Sequence, residues 1–175
     1  MNFTEAVKSV LTKYATFTGR ARRSEYWYFI LASLLASIVI SIIGLAMPSV
    51  GGILNAVFSL GILVPSLAVN TRRLHDVGKS GWLIVINYII CFLTLGTLFT
   101  GIGWGNLLAT QTNPDAIDLN VVNIPLLAVG LGLYLILFIF GIYILILTCK
   151  DSQVGTNQYG PNPKGEEEIA SNENF

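Results

Sequence analysis

The sequence predicts an all-α integral membrane protein, a four-helix bundle preceded by a short N-terminal interfacial amphipathic helix. Two observations support this fold class. Of 175 residues, 53% are hydrophobic, and only 10 basic and 10 acidic residues are charged, which is roughly half the charged fraction of a soluble domain. No Asp, Glu, Lys or Arg occurs in residues 26–71, 80–114 or 119–149. A soluble enzyme, a disordered chain and a nucleic-acid-binding protein are all poorly supported by this composition.

Residues 2–18 have the pattern of an amphipathic helix. Apolar residues such as Phe3, Val7 and Leu11 recur at three- and four-residue spacing, with polar residues opposite them. Asn2 and Glu5 have the spacing of a capping box, and Gly19 can end the helix. We expect this helix to lie flat at the membrane interface or to pack against the ends of the bundle.

Four apolar segments follow, at about residues 26–47, 53–70, 82–102 and 124–148. Each is close to the roughly 20 residues that a spanning helix needs. Residues 48–52, Pro-Ser-Val-Gly-Gly, have the composition of a tight turn and separate the first two segments. Pro65 is expected to kink or shorten the second helix.

The basic residues predict the orientation. All ten precede the first span, lie between the second and third spans, or follow the fourth. The positive-inside rule therefore places both termini in the cytoplasm. Residues 1–164 are predicted to form a single membrane domain, and residues 165–175 a disordered acidic tail.

The first charged cluster is GRARRSEYWYF, residues 19–29. Its arginines could bind lipid phosphates or dock a partner protein. They also fit a topological role, in which Arg22 and Arg23 hold the amino end inside while the aromatic residues form an interfacial belt. Neither role explains Glu25, which needs a partner if it lies near the membrane.

The second charged cluster is RRLHDVGKSGW, residues 72–82. Arg72 and Arg73 are spaced to pair with Asp76 within one helical turn. Gly78 can end that helix in a left-handed conformation, and Ser80 can cap the next helix. A structural role for this turn is the favoured interpretation.

Both clusters are predicted to lie at the same membrane face, and we therefore expect them to meet. Glu25 would pair with Arg72 or Arg73, and Asp76 with an arginine of the first cluster. His75 is the single histidine, and no Cys or His lies at metal-ligand spacing from it. We interpret His75 as a hydrogen-bonding member of the turn and expect no metal or cofactor.

Polar residues also occur within the spans. Ser37 and Ser41 in the first span, with Asn87 and Thr94 in the third, could line a path through an oligomeric channel or transporter. Packing between helices is the commoner reason for small and polar residues in a span. Coupled transporters usually bury a charged residue, and these spans have none. Transport is therefore the alternative interpretation.

At its two clusters the sequence resembles the bacterial inner-membrane family named domain of unknown function 805, the YhaH/YhaI-like proteins. A third match is GTNQYGPNPK, residues 155–164, which follows the family's habit of an Asn, an aromatic-Gly-Pro turn and a Pro-Lys ending after the last helix. The resemblance implies a bacterial plasma-membrane protein and by itself implies no activity.

The expected function is that of a non-catalytic membrane scaffold or regulator in the bacterial inner membrane. Its partners would be the lipid bilayer, anionic phospholipid, and another membrane protein or a second copy of the chain, but no nucleic acid. The candidate site residues, at the predicted cytoplasmic face, are Arg22, Arg23, Glu25, Arg72, Arg73, His75 and Asp76.

Overall fold

A computed structural model describes residues 1–103, Asn106 and residues 118–165 of the chain. Its helices are α1 (Phe3–Thr12), α2 (Arg23–Ala46), α3 (Pro48–Asp76), α4 (Trp82–Ile102) and α5 (Ile124–Cys149), with a 3-10 turn at Leu119–Val121. Helices α2 to α5 are each long and apolar enough to cross a membrane. The predicted all-α class, with four spans and a short N-terminal helix, is confirmed.

The described residues form two compact units. The first contains residues 1–82 and the described residues from 147 onward, and the second contains residues 83–146. All ten basic residues of the chain belong to the segments of the first unit. The two charged clusters of the sequence therefore lie in one structural unit.

Helix α1 begins as its sequence predicts and ends earlier. The Asn2 side chain accepts from the Glu5 amide, and the Glu5 carboxylate accepts from the Asn2 amide, which completes the capping box. The helix ends at Thr12 rather than at residue 18, because the chain turns at Lys13 and leads Arg20 towards the second cluster. Gly19 lies in that connection with a φ of +86°, a conformation that glycine adopts without strain.

The connection between α2 and α3 corrects the predicted turn at residues 48–52. Helix α3 begins at Pro48, so Met47 alone separates it from α2. Proline suits the first position of a helix, since its φ is already helical and its missing N–H would have no partner there. A Cβ on Gly51 would lie 2.2 Å from the Cα of Gly44, so this glycine allows close helix packing rather than a turn.

Helix α3 continues without interruption through Pro65 to Asp76. Proline lacks the N–H that would bond to the carbonyl four residues earlier, which is that of Gly61. The Tyr14 hydroxyl donates to this carbonyl at 2.6 Å. This contact from the segment after α1 supplies the hydrogen bond that Pro65 removes, so the helix does not need to end there.

The second unit contains most of α4 and α5, whose bounds match the predicted spans at 82–102 and 124–148 closely. The Asn123 amide donates to the Gly101 carbonyl at 2.8 Å, next to the end of α4. The predicted disordered tail, residues 165–175, lies outside the described residues apart from Gly165.

Candidate functional site: a buried charge cluster

Five charged side chains from separate parts of the chain are buried together in the first unit. Each is at most 8% exposed, and together they are termed the charge cluster: Arg20, Glu25, Arg72, Arg73 and Asp76. They come from the connection before α2, the first turn of α2 and the last turns of α3. Buried charges are costly unless they are paired and hydrogen-bonded, so the pairing within this cluster decides what it can do.

The first pair joins α2 to α3. Arg72 donates from Nη1 to Oε1 of Glu25 at 2.9 Å, which confirms the predicted meeting of the two sequence clusters. The Ser9 hydroxyl of α1 also donates to this carboxylate oxygen, at 3.2 Å. The Nε and Nη2 atoms of Arg72 are buried and have no hydrogen-bond partner. Glu25 is therefore the acceptor on which the Arg72 guanidinium depends.

The second group forms around Asp76. Arg20 donates from Nε to Oδ1 of Asp76 at 2.9 Å, which confirms that this carboxylate pairs with an arginine of the first sequence cluster. The other oxygen, Oδ2, accepts from Arg73 within the same helix and from the Ser152 hydroxyl. Of the two arginines spaced to pair with Asp76, Arg73 does so and Arg72 turns to Glu25.

Arg73 also binds the carboxyl end of α5. It donates from Nε to the Thr148 carbonyl at 3.0 Å and from Nη2 to the Lys150 carbonyl. The last carbonyls of a helix have no intrahelical partner and carry partial negative charge. A guanidinium at this position satisfies them, and it ties the end of α5 to the last turn of α3.

His75 lies beside the cluster as a hydrogen-bonding member of the turn. Its ring stacks on that of Tyr159, with centroids 3.8 Å apart and planes at 2°. Its Nδ1 is 3.2 Å from the Gly19 carbonyl; because a carbonyl only accepts, Nδ1 carries the proton. The Asn157 side chain donates to the His75 carbonyl at 2.9 Å. These contacts match the predicted structural role.

Residues 151–164, termed the tail strap, cover the cluster. Arg20 donates to the carbonyls of Gln153 and Gly155, and Arg22 donates from Nε to that of Pro163. Arg23 pairs with Asp151 at 2.9 Å. The pair of Arg23 with Asp151 is exposed and Arg22 is half-buried, so both arginines belong to the rim of the site rather than to its buried part.

Sequence reasoning placed Arg22 and Arg23 at the centre and overlooked Arg20. The structure reverses this order, because Arg20 is the arginine that reaches Asp76. The signal was the position of Arg20 directly after Gly19, whose left-handed backbone turns the chain towards α3. The tail strap contributes mostly main-chain carbonyls. Every residue has such a carbonyl, so the sequence did not indicate these contacts.

The polar residues proposed to line a path are mostly satisfied within their own helices. The hydroxyls of Ser37, Ser41 and Thr94 donate to the carbonyls of Leu34, Ser37 and Ile90 respectively. Such bonds are a common reason for hydroxyl residues in membrane helices. Asn87 differs, because its buried Oδ1 has no hydrogen-bond partner.

Comparisons with known proteins place the chain among membrane proteins. The family described as "Protein of unknown function (DUF805)" matches residues 14–161. "Inner membrane protein YhaH" of Escherichia coli (strain K12) is 27% identical over 159 residues, covering 89% of this chain and 93% of that protein. "Inner membrane protein YhaI" of the same organism is 36% identical over 101 residues, covering 51% of this chain and 83% of that protein. No solved structure matches the chain. These relatives and the four apolar helices identify a multi-pass inner-membrane protein.

Proposed function

This chain belongs to the DUF805 family, whose function is unknown, and we propose that it is a non-catalytic scaffold or regulator that binds anionic phospholipid at its cytoplasmic face. The charge cluster would fix the helix ends and the tail strap, while the exposed cations around it would contact lipid. Another membrane protein or a second copy of the chain is the other class of partner that the experiment below tests.

The observation that carries this proposal is the division of the cations into buried and exposed sets. The buried arginines pair with carboxylates and carbonyls, and five basic side chains remain exposed in the first unit: Lys8, Lys13, Arg23, Lys79 and Lys150. Among the described residues of that unit, the exposed acidic side chains are those of Glu5 and Asp151. Each cation near an anionic membrane surface contributes about 1 kcal/mol of attraction.

The carboxylates of the cluster support a non-catalytic role. Glu25 accepts from Arg72 and Ser9, and Asp76 accepts from two arginines and a serine. A general base or nucleophile must be available to the reacting atom of a substrate, and both carboxylates are already paired with buried arginines at 2.9 Å. Their arrangement favours the joining of segments over chemistry.

The test uses the purified full-length chain in nanodiscs of phosphatidylcholine, with and without an added anionic phospholipid. Native mass spectrometry counts the retained anionic lipids. We expect anionic lipid to be retained selectively, and Lys79→Gln/Lys150→Gln to lower the count. Equal retention of anionic and zwitterionic lipid would overturn the proposed lipid binding. Crosslinking in native membranes, with the same variant, tests whether the partner is another membrane protein or a second copy of the chain. If a stoichiometric protein partner is found and no lipid selectivity is seen, the scaffold role is favoured without lipid binding.

The cytoplasmic orientation has its own test. Single cysteines at Lys79 and at Asn120, both exposed, are introduced after Cys91 and Cys149 have been replaced by serine. A membrane-impermeant thiol reagent added to intact spheroplasts should label Asn120→Cys at once. It should label Lys79→Cys only after permeabilisation, and the reverse pattern would place the cations on the opposite face.

An oligomeric channel or transporter is the second candidate, and the buried, unpartnered oxygen of Asn87 is the observation that favours it. An unpaired acceptor in a span is costly, so a solute or another subunit could be its partner. If transport occurs, solute flux in proteoliposomes should fall in Asn87→Leu and persist in Asn55→Leu, which changes an asparagine in another span.

A further inference from the structure

We propose that a polar cavity beside α1 is a specific site for one phosphodiester headgroup of single net negative charge that carries hydroxyl groups, the chemistry of phosphatidylglycerol. This inference deepens the proposed function and rests on it, because it assigns the lipid class and the residues that select it. The cavity has a volume of about 340 Å³. Its lining includes Glu5, Lys13, Arg20, Arg22, Glu25 and Pro163.

The charges of the lining fall into two groups. Arg20 and Glu25 line the cavity, but each is already paired within the charge cluster. Arg20 lies 2.9 Å from Asp76, and Glu25 lies 2.9 Å from Arg72. Their charges are therefore balanced without a ligand. The remaining charges of the lining are the cations Lys13 and Arg22, the amino group of Met1 and the carboxylate of Glu5, and their sum is positive. An anionic ligand balances this lining.

The side-chain cations Lys13 and Arg22 are suited to a phosphate. Arg22 uses Nε to bond the Pro163 carbonyl, which leaves its terminal Nη1 and Nη2 groups as a pair of donors. Planar guanidinium donors match the geometry of phosphate oxygens. The Lys13 side chain is 48% exposed, and its Nζ lies 4.0 Å from the Glu25 carboxylate. At that distance the ammonium keeps its donors available for a second anionic group.

Glu5 gives the cavity its selectivity. Its carboxylate accepts from the Asn2 amide and side chain at 3.0 and 2.9 Å, which holds it in place at the start of α1. A fixed carboxylate accepts hydrogen bonds from hydroxyl groups and repels a second phosphate charge. A headgroup with one phosphodiester and terminal hydroxyls satisfies it, whereas a phosphomonoester of two negative charges would not.

The position of the cavity favours a lipid over a soluble phosphodiester. Its lining includes Glu5 of α1 and Glu25 in the first turn of α2, where a candidate span begins. Helix α1 also exposes the apolar side chains of Phe3 and Leu11, which lie outside that lining. A helix with exposed apolar residues beside charged ones lies at the boundary between headgroups and acyl chains. The phosphate level of a bilayer is therefore within reach of this cavity.

The experiment measures lipid binding to the full-length chain in phosphatidylcholine nanodiscs that are titrated with phosphatidylglycerol. The change tested is Lys13→Gln/Arg22→Gln. The comparison variant, Lys79→Gln/Lys150→Gln, removes the same charge from exposed positions outside the cavity lining and measures the loss of general attraction to anionic lipid. We expect the cavity variant to weaken the apparent affinity at least about tenfold more than the comparison variant, because it removes charge-assisted contacts to the phosphate in addition to the general attraction that both variants lose.

The remaining measurements distinguish a bilayer lipid from a soluble ligand, and failure of this site from failure of the proposed function. Glycerophosphoglycerol and inorganic phosphate, added free, should not displace the lipid if the bilayer supplies the headgroup; displacement by the former would assign a soluble ligand and overturn the lipid assignment. Equal losses in the cavity and comparison variants would refute the site while leaving general anionic binding intact. No preference for phosphatidylglycerol over phosphatidylcholine in the wild type would refute the proposed function itself. If the double variant unfolds, Lys13→Gln alone, with Lys79→Gln as its control, decides the outcome.

Discussion

The most direct test of the fold is the hydrogen bond from Tyr14 to the carbonyl of Gly61. The missing N–H of Pro65 makes this carbonyl depend on Tyr14, so the cost of losing the bond can be predicted. Pro65 cannot donate to that carbonyl, and the Tyr14 hydroxyl does so at 2.6 Å. Tyr14→Phe removes one hydroxyl and leaves the carbonyl without a donor in an apolar helix. An unsatisfied polar group of this kind costs about 1–3 kcal/mol, so we expect that loss in the free energy of unfolding.

A second substitution shows whether proline is the cause. In a Pro65→Ala background, the restored N–H of residue 65 bonds to Gly61, and Tyr14→Phe should then cost less than about 0.5 kcal/mol. The measurement is reversible unfolding in mixed micelles titrated with dodecyl sulfate. Tyr28→Phe, which removes an exposed hydroxyl near α1, is the control. Equal costs of Tyr14→Phe in both backgrounds would refute the reasoning.

Three further changes test other parts of the first unit in the same unfolding assay and by proteolysis. Glu25→Gln leaves a buried guanidinium unpaired and should cost about 3–5 kcal/mol, against at most about 1 kcal/mol for Arg23→Gln in an exposed pair; similar costs would contradict the pairing. Gly51→Ala should cost at least about 1–3 kcal/mol, because its Cβ would overlap the facing helix. The same change at Gly52 has nothing within 4 Å and should not destabilise. Tyr159→Ala loses its ring stack and should speed proteolytic cleavage of the tail strap about 2- to 10-fold, whereas Tyr159→Phe, which keeps the ring, should match the wild type.

The pairing in the charge cluster explains why its sequence could be interpreted in two ways. Arginines before a span fit topological anchoring, and arginines after a span fit a helix C-terminus. Glu25 was the residue that neither role explained, and its need for a partner predicted the contact with Arg72 or Arg73. A residue that conflicts with the local pattern was thus more informative than those that agree with it.

The limits of local reasoning are clearest in the α2–α3 connection and at Pro65. Proline and glycine are typical of turns, yet Pro48 begins a helix and Gly51 packs against the facing α2. The tail strap is a similar case, since its main-chain carbonyls bind Arg20 and Arg22 and residue types do not indicate such contacts. At Pro65 and in the tail strap, the deciding contact comes from a residue far away in the chain.

The sequence by itself determined the class of the protein and the number and location of its spans. Apolar length and the clustering of charges suffice for this, because a bilayer constrains each helix independently of the others. Tertiary structure alone decided that Arg20, rather than Arg22 or Arg23, reaches Asp76, and that Tyr14 completes the hydrogen bonding of α3. These contacts join residues that are 47 and 56 positions apart in the chain. Which distant residues meet depends on how the helices pack, and no local sequence pattern contains that information.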